Sequence, residues 1–74
     1  MDWKNYNSLP KNVQIDIAMF ALVKYLTGNY KKYSAMMTKA GKNPEQFLSK
    51  YEDNINEIVQ NPADVLTALK SMVI

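Results

Sequence analysis

The chain predicts an all-α protein, a single compact domain of four to five short helices over residues 1–74. Three observations carry that prediction. Apolar residues recur at spacings of three and four along most of the chain. Two Asn-Pro pairs and two isolated glycines interrupt the pattern where helices would start and stop. Finally, no segment alternates apolar and polar residues between turn signals, so no sheet is expected.

Trp3, Tyr6 and Leu9 share a helical spacing ahead of Pro10, which predicts a short turn of helix within residues 1–9 laid over the core. The body of the domain then occupies residues 11–72. Pro10 suits the start of a helix, where its missing N–H would go unpaired anyway. The helix after it carries Val13, Ile17 and Phe20, with Ile15, Met19, Leu22 and Leu26 on the adjoining face, and Gly28 ends it. A helix apolar on nearly all sides belongs at the centre of the domain. Tyr30, Tyr33, Met36, Met37 and Ala40 form the next stripe, closed by Gly41. Met36 and Met37 point about 100° apart on a helix, so one of the two can face solvent.

Asn43-Pro-Glu-Gln-Phe-Leu48 and Asn61-Pro-Ala-Asp-Val-Leu66 are two versions of one helix-start signal, eighteen residues apart. The asparagine oxygen accepts a free backbone N–H of the first turn, and proline fits the position after it. Behind the first signal stand Phe47, Leu48, Tyr51, Ile55, Ile58 and Val59, compatible with one helix or with a break near Asp53-Asn54. Behind the second, Val65, Leu66, Leu69, Met72 and Val73 lie to one side, and Met72-Val-Ile74 is apolar enough to dock on the body or on a second copy.

Composition excludes several function classes. There is no cysteine and no histidine, which removes disulfides and the usual zinc sets, and no cofactor is implied. The longest apolar run, Ile17–Val23, is far short of the ~20 residues that span a bilayer, and the amino terminus has no signal-like apolar core. These features predict a soluble cytoplasmic chain. All nine basic residues are lysine, so the side chain best shaped for bidentate contact with guanine or phosphate is missing. Net charge is +2 but divides unevenly: residues 1–42 hold seven lysines against Asp2 and Asp16, whereas residues 43–74 hold two lysines against five acids.

The segment Tyr33–Tyr51, two helices joined at Ala40-Gly41-Lys42-Asn43, resembles the Cro/repressor-like helix-turn-helix regulators, with Met36, Ala40, Phe47 and Tyr51 at positions that family makes apolar or small. In size and element order the chain is similar to small phage or prophage antirepressors. The resemblance implies two helices meeting steeply, the second placed to enter a major groove. This chain departs from the family at Met37, where a small residue is usual, and at Lys42, where an aliphatic one is common. The second helix also exposes Glu45, Gln46, Ser49, Lys50, Glu52 and Asp53, and three carboxylates against one lysine repel a phosphate backbone.

These observations predict a small non-enzymatic regulator acting by protein–protein contact on a nucleic-acid-binding partner. Glu45, Gln46, Ser49, Glu52 and Asp53 are the candidate polar contacts, and Trp3, Tyr30 and Met36 the candidate anchors. Two alternatives stand beside it. One is a Cro-like DNA-binding repressor, dimeric, using Lys31, Lys32, Lys39 and Lys42 with interleaved tyrosines. The other is a helical inhibitor or immunity-type protein of an unrelated enzyme. Ser34, Ser49 and Ser71 have no nucleophile turn around them, and the run Glu52–Glu57 lacks the glycine and spaced glutamate of a calcium loop.

Overall fold

Asp2 opens the first helix by accepting the Asn5 amide at 3.2 Å, and four further helices follow in a computed structural model that describes residues 1–72. They are α1 (Trp3–Asn7), α2 (Lys11–Thr27), α3 (Lys31–Lys39), α4 (Pro44–Gln60) and α5 (Pro62–Ser71). No strand occurs among the described residues. Val73 and Ile74, expected to extend the last apolar stripe, lie outside them. The radius of gyration is 11.3 Å, matching the ~11 Å of a close-packed chain of this length, so no helix is splayed from the body.

The boundaries follow local chemistry. Gly28 and Gly41 both adopt left-handed backbone, at φ 83° and 79°. At Gly41 the chain makes a double closure: Lys42 N–H donates to the Met37 carbonyl at 2.9 Å and Gly41 N–H to the Thr38 carbonyl at 3.0 Å. This pairing satisfies carbonyls left open at the end of α3 and turns the chain sharply into α4. Asn43 caps α4 by accepting the Gln46 amide at 3.1 Å, and Asn61 caps α5 by accepting the Ala63 amide at 3.1 Å. Between those caps α4 runs as one helix, with no break at Asp53-Asn54.

At the centre lies α2, packed against α3, α4 and α5. Its Ile17, Ala18, Phe20 and Ala21 meet Met37 of α3, Ile55 and Ile58 of α4, and Val65 and Ala68 of α5 in one buried cluster. Lys11, at the start of α2, donates to the Ser71 carbonyl at the end of α5, so the two helices run antiparallel. Tyr6 is fully buried and its hydroxyl donates to the Gln14 carbonyl at 2.9 Å, while the Gln14 amide group donates to the carbonyls of Asn7 and Leu9. These bonds hold α1 on the body. Three residues expected on the apolar stripes differ: Leu26 is 70% exposed, Leu66 54%, and Ala40 is exposed, while of the adjacent methionines Met37 is buried and Met36 faces solvent.

Candidate functional site

On α4 the sequence places Glu45, Gln46, Ser49, Glu52 and Asp53 at steps that fall within an arc of ~120°. All five are exposed, on the side opposite the buried Ile55 and Ile58. Ser49 spends its hydroxyl proton on the Gln46 carbonyl one turn back, at 2.8 Å, leaving its oxygen able to accept. Glu45 stands in the first turn of α4, beside the positive end of the helix dipole, a position where an acidic side chain stabilises the helix.

The electrostatics of this stripe follow from what is missing around it. Among the described residues the ion pairs are two: the amino terminus with Asp64 at 3.8 Å, and Lys42 with Asp16 at 3.4 Å. Glu45, Glu52, Asp53 and Glu57 therefore have no cation within 4.0 Å, and the outer face of α4, which also exposes Lys50, carries a net negative charge. On α3, Lys31, Lys32 and Lys39 are exposed and equally unpaired, forming a separate positive face.

The candidate anchors do not gather on either stripe. Trp3 is half-buried on α1, its ring edge-on to Tyr6 with centroids 5.2 Å apart. Tyr30 is half-buried, packs edge-on to Phe20, and donates its hydroxyl to Asn56 at 2.9 Å, where Lys24 also donates at 2.6 Å. Met36 alone of the three projects into solvent.

Sequence reasoning missed Asp16. This carboxylate is buried at the base of an open groove of about 360 Å³ between α2, the α3–α4 turn and the first turns of α4. Phe47, Tyr51, Met37 and Val13 form its apolar walls, and Lys42 and Lys50 stand at its rim. Tyr33 donates its hydroxyl to one oxygen of Asp16 at 2.8 Å and Lys42 approaches the other at 3.4 Å, so both oxygens are engaged. Burial, then the hydrogen bond and charge of Asp16, push the Tyr33 phenol up to about 12. At neutral pH Tyr33 is thus a donor locked in place and not a base. No three acidic, histidine or cysteine side chains among the described residues converge closely enough to hold a metal ion. The sole advance sign of Asp16 was an acid inside an otherwise apolar helical run, flanked by Ile15 and Ile17.

No helix among the described residues is long and apolar enough to cross a membrane. Comparison with protein-family models, with curated proteins and with solved structures found no match.

Proposed function

We propose that this protein is a small non-enzymatic regulator that binds another protein through the outer face of α4, and that its partner is a nucleic-acid-binding regulator whose basic surface that face covers. The unpaired acidic stripe of Glu45, Glu52 and Asp53 carries this reading. Acids with no internal cation keep their field directed outward, which steers a basic partner toward them and turns nucleic acid away. Gln46 and Ser49 lie between the acids and supply neutral hydrogen-bonding groups to fix register. Such a protein would act as an antirepressor does, by occupying the surface with which its partner reads DNA.

The test is charge reversal. Glu45→Lys with Glu52→Lys should abolish retention of the partner on the immobilised full-length protein, whereas Lys31→Ala with Lys39→Ala should leave it intact. One observation favours a second reading, DNA binding through α3: its three exposed lysines are unpaired. Duplex DNA bound with steep salt dependence, and lost on the lysine substitutions, would replace the first reading with the second.

A further inference from the structure

We propose that the groove above Asp16 is a binding site for a small aromatic acid, a molecule with a flat ring, a hydrogen-bond donor at one end and a carboxylate at the other. Each part of that ligand answers to a part of the groove. The volume of about 360 Å³ falls within the ~300–1,000 Å³ of small-molecule sites. Phe47 stacks on Phe20 and tilts against Tyr51, and both Phe47 and Tyr51 are half-buried, so aromatic surface remains to line the groove. With Val13 and Met37 these rings make apolar walls that accept a flat ring.

The two ends of the ligand follow from charge. At the base of the groove the Asp16 side chain is only 9% exposed. An ionised carboxylate has about four acceptor positions. Asp16 receives one hydrogen bond from Tyr33 and one long contact from the half-exposed Lys42, so acceptor capacity is left over. A buried carboxylate with spare acceptor positions selects a donor and rejects an apolar end. The mouth has the opposite sign. Lys42 and Lys50 stand exposed there, and Asn43, the N-cap of α4, brings the positive end of that helix beside them. Asp16 is the only acid among the lining residues and Lys42 already offsets it, so Lys50 leaves the groove net positive. An anion is therefore favoured at the rim, whereas a cation would have to pass two lysines to reach Asp16. Glu45 belongs to the outer arc of α4 and does not line the groove. Gln46 is the one residue shared with the acidic contacts of α4, and the site does not depend on the role given to that face.

Titration of the isotope-labelled full chain with para-hydroxyphenylacetate, followed through its amide NMR shifts, tests the site. The expected result is saturable binding with a Kd of about 0.1–1 mM, as suits a probe of about eleven heavy atoms in an open groove. The largest shifts should fall at Asp16, Lys42 and Phe47. Phenylacetate, which lacks the donor, and para-cresol, which lacks the carboxylate, should each bind about fivefold more weakly. Lys50 is exposed and makes no ion pair, so Lys50→Ala leaves the fold intact. That change should weaken para-hydroxyphenylacetate by about threefold to fivefold and leave para-cresol unaffected. Absence of saturable shifts up to about 10 mM, or shifts centred on the lysines of α3, overturns the site. Phenylacetate binding as well as the full probe would remove Asp16 as the partner of the donor. Equal affinity for para-cresol, or indifference to Lys50→Ala, would remove the rim lysines, and any of these results overturns the ligand class.

Discussion

Asp16 decides the character of the α2–α3–α4 junction, and its two partners do not matter equally. The Tyr33 hydroxyl reaches it at 2.8 Å within the protein, whereas Lys42 reaches it at 3.4 Å from a side chain 50% exposed. A buried hydrogen bond to a charged group is worth ~1.5–3 kcal/mol, and a solvent-screened ion pair less than ~1 kcal/mol. Urea denaturation should therefore show Tyr33→Phe costing about 2 kcal/mol and Lys42→Ala under about 1 kcal/mol. A larger loss at Lys42 would reverse that ranking. The pH dependence has a definite sign. Below pH 10, the ordinary tyrosine value, Tyr33 is protonated in both states and its contribution is whole; from there to about 12 the unfolded chain ionises first, so stability falls. Burial raises Tyr6 in the same direction, so the fall should be reduced, not abolished, in Tyr33→Phe. None of this was legible in the sequence. A single aspartate has no period, and its partners stand seventeen and twenty-six residues away.

At the scale of the element the sequence was far more legible, because caps are made by neighbours. The two Asn-Pro starts and the two glycine stops each depend on groups within a few residues, and each occurs where the local chemistry predicts it. Adding a Cβ at Gly41 would meet nothing within 4 Å, so the cost of Gly41→Ala is that of left-handed backbone alone, ~1–2 kcal/mol. Gly41→Asn should recover part of that loss, since asparagine tolerates this conformation. Thermal denaturation of the two variants checks the order, and equal stabilities would remove the backbone explanation. Asn61 ends α4 and caps α5, so Asn61→Ala is expected to cost about 1 kcal/mol. The continuity of α4 through Asp53-Asn54 was not legible. A polar pair there could end a helix or face outward, and only the inward lock of Ile55 and Ile58 on α2 and α5 selects the second.

For the molecule as a whole, the sequence marked α2 as the central helix but could not say which of its sides stays uncovered. An all-round apolar helix has no weak face until its neighbours are placed. The placement puts Phe20 at the crossing of three helices: its ring meets Tyr30 at 5.7 Å and Tyr33 at 4.9 Å edge-on, and stacks on Phe47 at 5.5 Å. Six residues further along the same helix, Leu26 faces solvent. Residue hydrophobicity alone would rank the two alike, whereas their surroundings separate them widely. Phe20→Ala should cost ~3–5 kcal/mol through lost burial and the cavity left behind. A chain of 74 residues has a total stability of ~4–11 kcal/mol at ~0.05–0.15 kcal/mol per residue, so this one change removes a large part of it. Leu26→Ala should stay within ~0.5 kcal/mol. Chemical denaturation of both variants, followed by helical circular dichroism, separates the outcomes. Equal losses at the two positions would mean that the side of α2 bearing Leu26 is packed against the rest of the molecule.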